Sequence, residues 1–130
     1  MLVVDASCLY EVLIDAPHSE LVRQRLFDDS DHVAPSLIDV EVLHVIRRDL
    51  ARGVLDRTTA HQAVEDLRTW PGERFGHRSL LERSWELRNT VRTSDAIYVA
   101  LAEAMSATLV TLDARLAHAL GPNCPVELLR

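Results

Sequence analysis

The chain contains no lysine: all fourteen of its basic residues are arginine, set against twenty acidic ones. That absence removes the GK[ST] phosphate loop, and with no GxGxxG after the first apolar run the dinucleotide fingerprint is missing too. It also removes a phosphate-transfer receiver, which places acids at strand tips but needs a lysine beside its phosphoacceptor. The net charge of −6 argues against a general electrostatic grip on nucleic acid. Cysteine is scarce, and Cys8 and Cys124 show neither metal nor redox spacing. The six histidines form no HExxH or paired pattern and read as surface or satisfied core residues. No apolar run approaches the ~18–20 residues of a membrane span, and no basic stretch precedes an apolar one at the N-terminus. A cytoplasmic protein without a cleavable signal is expected.

What is present suits one domain over residues 1–130. Met1-Leu2-Val3-Val4 reads as a buried strand, because paired β-branched residues pack well on a pleat and lose rotamer freedom in a helix. Helices follow from Leu9 to Ile14 and from His18 to Phe27, then a short strand at His32-Val33-Ala34. Pro35-Ser36 opens a long helix that ends at Gly53 as its C′ residue. A helix capped by Asp56 or Thr58 runs to Arg68, Arg74-Phe75-Gly76-His77 is either loop or short strand, and another helix spans Ser79 to Asn89. Ser94 reads as the N-cap of a helix from Asp95 to Met105. Thr108–Leu112 is a strand, Ala114 to Leu120 a short helix, and Val126–Leu129 a final strand. Helices separating short apolar strands predict an α/β fold, a parallel sheet of four to five strands with helices on both faces.

Four carboxylates stand in awkward places. Asp5 follows a fully apolar strand, where an uncompensated acid is costly. Asp113 follows Leu109-Val110-Thr111-Leu112, so the two acids are close if their strands are neighbours. Glu41 lies between Leu37 and Val45 on one helical face, on the apolar stripe, whereas Asp39 looks more exposed. Asp95 begins a helix that is apolar almost all round and therefore buried. Capping explains Asp5, Asp95 and Asp113 one at a time, and an arginine partner would explain Glu41. Their coincidence is the functional signal. Converging carboxylates raise one another's pKa unless a cation sits among them, and an all-oxygen donor set selects Mg²⁺ or Mn²⁺. One or two such ions, ~3.5–4 Å apart when paired, suit phosphodiester hydrolysis by an activated water. A haloacid-dehalogenase-type phosphatase would need a second aspartate at position 7, which is serine.

Val3-Val4-Asp5-Ala6-Ser7 and Pro35 to Glu41 with Val42-Leu43 resemble the first two motifs of PIN-domain nucleases. Thr93 to Ala102 and Leu109 to Ala117 resemble the third and fourth, and the small size is similar to that of the VapC toxins of bacterial toxin–antitoxin pairs. The resemblance implies a PIN fold and a Mg²⁺- or Mn²⁺-dependent endoribonuclease leaving 3′-hydroxyl and 5′-phosphate ends. It implies a homodimer inhibited by a small VapB-type antitoxin. Asp5, Glu41, Asp95 and Asp113 fall on its acidic quartet, and Ser7 and Thr111 on small hydroxyl positions that support metal or phosphate. Ser7 reads equally as a helix cap. Where some PIN nucleases carry a further acid this chain has Arg115, which implies a poorer second metal site; Arg115 then holds a phosphate or pairs with Asp113. From Arg68 to Arg92 six arginines face three glutamates, so Arg78 and Arg83 are candidate RNA contacts, or else form i,i+4 ion pairs such as Arg78 with Glu82. The alternative to an enzyme is an inactive PIN-like RNA-binding or scaffold protein.

Overall fold

A computed structural model describes the whole chain, Met1–Arg130. Strand β1 (Leu2–Val4) leads into α1 (Ala6–Leu13) and α2 (Ser19–Asp28), then β2 (His32–Pro35), α3 (Leu37–Ala51) and α4 (Arg57–Thr69). β3 (Glu73–Phe75) is followed by α5 (Leu81–Glu86), α6 (Thr93–Ala104), β4 (Thr108–Thr111), α7 (Ala114–Ala117) and β5 (Val126–Leu128). The five strands form one all-parallel sheet in the order β3-β2-β1-β4-β5. Of the loop and short strand left open for Arg74-Phe75-Gly76-His77, the strand is found, over Glu73–Phe75, with Gly76-His77 outside it.

The strand order has one reversal. From β1 the chain winds outward through β2 to β3, then crosses back to β4 on the other side of β1. Right-handed crossovers in opposite directions put the intervening helices on opposite faces. Accordingly α1 packs on α2 and α3, while α6 lies across β2, β1 and β4. β1 is buried throughout, and α6 from Ala96 to Ala102 has no exposed residue, which is why both read as apolar in the sequence. In such sheets the crevice outside the strands' carboxyl ends, at the reversal, is where ligands bind. Here that point lies between β1 and β4, joined in the register Val4 with Val110.

Several boundaries differ from the sequence reading. The helix expected over Ser79–Asn89 is a turn of 3₁₀ helix (Arg78–Leu80) followed by the six-residue α5, with no Arg78–Glu82 pair. α6 starts at Thr93, with the extended backbone of Arg92 at the cap position, so Ser94 does not cap it and Asp95 lies inside the first turn. α7 stops at Ala117. Gly53 does take the left-handed conformation (φ +73°) that a C′ residue needs, and Asp56 rather than Thr58 caps α4, accepting from the Thr59 amide at 2.7 Å. Asp39 is not idle: Arg74 of β3 reaches it at 2.9 Å and also donates to the Leu67, Trp70 and Gly72 carbonyls, tying α3 to the end of α4.

Candidate active site

Asp5 is the residue immediately beyond β1, and its amide donates to the Val110 carbonyl at 3.1 Å, extending the β1–β4 seam by one step. Its side chain does not cap α1. Instead Oδ2 accepts from the Ser7 hydroxyl at 2.6 Å and from the Thr111 hydroxyl at 2.8 Å. Each hydroxyl in turn accepts a backbone amide of the segment after β4: Leu112 N donates to Ser7 Oγ at 3.1 Å, and Asp113 N to Thr111 Oγ1 at 3.0 Å. Ser7 is therefore a clasp between α1 and β4 rather than a helix cap. Both hydroxyl bonds fall on Oδ2, and the Ala6 amide adds a weaker contact to the carboxylate. Asp5 is buried, and burial pushes its carboxyl above the usual aspartate range despite the Ser7 and Thr111 hydroxyls; the Asp95 charge adds to the rise.

Glu41 projects from the middle of α3. The most deeply buried stripe of that helix is Ile38, Val42 and Ile46, and Glu41 is half-buried at its edge with Leu37 and Val45. Burial raises its carboxyl pKa, the Asp5 and Asp95 charges raise it further, and the Tyr98 hydroxyl and the Arg92 guanidinium pull it back. Glu41 Oε1 and the fully buried Tyr98 hydroxyl face each other and perturb each other's titration, but neither makes a hydrogen bond of full geometry. Burial, with Glu41 and Asp5 nearby, pushes the Tyr98 phenol far up, so it stays protonated. A buried pair of oxygens so loosely joined is unusual and needs a reason.

Asp95 sits in the first turn of α6, where a negative charge suits the helix dipole. Asp113 stands two residues beyond the end of β4 and caps α7, accepting from the Arg115 amide at 2.9 Å. Capping thus accounts for part of Asp113 and for none of Asp5. Arg92 reaches both acids, with Nη2 at 3.1 Å from Asp95 Oδ2 and 3.5 Å from Asp113 Oδ2. Arg115 pairs with Asp113 at 3.6 Å, which is one of the two roles open to it.

All four acids line one cavity of about 660 Å³, together with Ser7 and Arg92, at the carboxyl edge of the sheet. The two chain-distant strand tips and the two helices converge there as expected. Arg78 and Arg83 do not line it. Arg78 borders a separate depression with Phe75 and His77. Arg83 is taken up by Glu103 at 2.7 Å, Glu86 at 3.2 Å and the Gly121 carbonyl at 2.9 Å. Sequence reasoning missed Tyr98, hidden in an apolar run, and gave Arg92 no individual role. The only signal for Arg92 was its i,i+3 spacing from Asp95.

The donor set fits a hard divalent cation. It is all oxygen, its most buried member is held above its normal pKa by burial and by a neighbouring charge, and Glu41 offers an orphaned oxygen. No three of these side chains stand close enough together to form a ready metal cluster, and the positive charge among them comes from Arg92, with Arg115 beside Asp113.

Residues 2–120 match the profile of the PIN domain. The chain is 37% identical over 129 residues to a protein named Ribonuclease VapC1 from Mycobacterium tuberculosis, covering 98% of this chain and 97% of that one. It is 41% identical over 118 residues to Ribonuclease VapC3 of the same organism, covering 90% and 85%. In three dimensions it resembles a chain in the crystal structure of VapBC2 from Rickettsia felis bound to a DNA fragment from their promoter, with a TM-score of 0.73, 15% identity, and coverage of 99% and 98%.

Proposed function

This chain belongs to the PIN-domain family, and we propose from that membership and from its acid-lined cavity that it is a VapC-type endoribonuclease, a toxin neutralised by a VapB-type antitoxin. The observation that carries the reading is the convergence of Asp5, Glu41, Asp95 and Asp113 on one cavity at the strand-order reversal of the sheet. Those four residues would hold Mg²⁺ or Mn²⁺. When bound, such an ion lowers the pKa of water and neutralises charge developing on the phosphate and the leaving oxygen.

The chain's own contributions follow from its bonds. Ser7 and Thr111 fix the Asp5 carboxylate through Oδ2 at the wall of the cavity. The Arg115 amide fixes Asp113. The burial that raises the Asp5 and Glu41 pKa values makes both carboxylates eager for a cation. Arg92 and Arg115, more than half exposed at the rim, offset the repulsion that four acids impose on an RNA backbone. Exposed Val40, Leu43 and Leu50 on α3 offer an apolar surface for a protein partner, in keeping with an antitoxin helix or a second copy in a homodimer. No helix is long and apolar enough to cross a membrane, and a cytoplasmic location suits an RNA substrate.

The test is cleavage of RNA by the purified protein with Mg²⁺, Mn²⁺ or EDTA, beside Asp5→Asn and Asp95→Ala. Metal-dependent cleavage that both substitutions abolish, with 3′-hydroxyl and 5′-phosphate ends, is expected. A folded wild type that neither binds Mn²⁺ nor cuts RNA favours the inactive scaffold instead.

A further inference from the structure

Arg92 is the one cation that bridges two of the four acids. Its guanidinium joins Asp95 of α6 to Asp113 of the loop after β4, two carboxylates carried by different elements. The side chain is 58% exposed, and the residue has extended backbone (φ −61°, ψ 148°) just outside α6. It can therefore leave its partners by rotamer changes alone, without disturbing the helix. Partly exposed single pairs of this kind are weak, whereas a doubly charged ion competes for the same oxygens with twice the charge.

A place for the displaced guanidinium adjoins the acid site. A second cavity of about 140 Å³ is lined by Thr90, Arg92, Asp95 and Arg115 beside Leu116 and Ala119. Asp95 on its wall repels a phosphate while its charge is free. Once a divalent ion holds that carboxylate, two arginines and a hydroxyl remain to meet the oxygens of a phosphodiester, which arginine grips bidentately. Resting on the reading of the protein as a divalent-metal ribonuclease, we propose that Arg92 is an exchangeable counter-cation. It neutralises Asp95 and Asp113 until a divalent ion takes them, and it then binds an RNA backbone phosphate beside Arg115. It is a substrate-binding residue only in the metal-loaded protein.

A mere structural clasp predicts that removing Arg92 weakens every property of the site. Exchange predicts opposite signs for metal and for RNA. The measurements are calorimetric titration of Mn²⁺ into the wild type, Arg92→Gln and Asp5→Asn, and anisotropy with a labelled phosphorothioate oligoribonucleotide in Mn²⁺ at several salt concentrations. Arg92→Gln is expected to bind Mn²⁺ about three- to tenfold more tightly, the range that two partly exposed ion pairs span. It is expected to bind the oligonucleotide more weakly, with a salt slope shallower by about one. Mn²⁺ affinity unchanged or lowered in Arg92→Gln overturns the exchange, and unchanged RNA affinity overturns the handover to phosphate. A wild type that binds no Mn²⁺ sinks the metal-nuclease reading itself. Wild-type binding that Asp5→Asn abolishes and Arg92→Gln leaves untouched sinks only this inference.

Discussion

The Thr111 hydroxyl donates to Asp5 Oδ2 at 2.8 Å and accepts from the Asp113 amide at 3.0 Å, so one buried hydroxyl couples two acids of the site. Thr111→Val keeps the shape and removes both bonds. It leaves a buried carboxylate with one fewer donor and an amide without its acceptor, at a cost of about 1–3 kcal/mol in urea denaturation. Cleavage is expected to fall about tenfold or more as well, because Asp5 and Asp113 both lose their fixed orientation. Unaltered stability and activity in this variant would show the coupling to be idle.

Asp5 carries a pH signature. Burial first, and the Asp95 charge in addition, raise its folded pKa above the ordinary value of 3.8. The folded state then holds a proton that the unfolded state has released. Without divalent ions its contribution to stability is greatest at acid pH and declines as pH rises from the ordinary aspartate range through the raised pKa. Asp5→Asn has no such decline. The melting temperature of Asp5→Asn relative to wild type should rise across that window and level off above it. Added Mg²⁺ should stabilise the wild type by mass action and leave Asp5→Asn unmoved.

Glu41 and Tyr98 separate stability from function. Glu41→Gln removes a half-buried charge beside two other acids, so the metal-free protein should melt at the same temperature or higher while cleavage drops by about a hundredfold. Tyr98→Phe removes a buried hydroxyl that is only loosely joined to Glu41 and should change folding stability by less than about 1 kcal/mol. Comparing thermal melts and single-turnover rates of the two variants checks both expectations. A large loss of stability in Tyr98→Phe would mean that its hydroxyl makes a full hydrogen bond to Glu41.

Arg83 is a structural tie between α5, α6 and the Gly121 turn. Burial alone would raise the Glu103 carboxyl pKa, but Arg83 and the Asn123 amide outweigh it and hold it below the usual range. Arg83→Gln should therefore cost about 1 kcal/mol at neutral pH, a loss that fades as pH falls through the Glu103 pKa. RNA affinity at low salt, measured by anisotropy, should change little. A loss there matching that of Arg92→Gln would instead restore Arg83 as a substrate contact.

The elements legible in advance were those whose cause is local. Val3-Val4 favoured a buried strand over a buried helix, Gly53 suited a helix end, and the apolar circumference of Ala96–Ala102 pointed to the core. The quartet was legible for a similar reason, since each acid contradicts the apolar setting its neighbours create. What local pattern could not supply was the partner of each polar group. Ser7 and Thr111 look like cap and strand residues until the β1–β4 seam brings their hydroxyls onto one oxygen. Arg83 and Arg92 look alike in sequence, yet one is bound into ion pairs far from the cavity and the other lies across its acids. The helix expected through Asn89 ends at Glu86, although Leu87 and Val91, one helical turn apart, both enter the core. Burial at that spacing would suit a continuing helix equally, so the local pattern carries no signal for the stop.

The seam that makes the site also sets when it can exist. β1 pairs with β4 over Leu2–Val4 and Thr108–Val110, so the two halves of the acid cluster come from opposite ends of the chain. Contacts of such separation form late, after the intervening helices have found their places. During synthesis, Asp5, Glu41 and Asp95 leave the ribosome before the strand that completes their cavity, and Asp5 has no Thr111 to hold it until then. A growing chain therefore carries its acids apart and inert, and nuclease competence arrives in one step with the C-terminal strands.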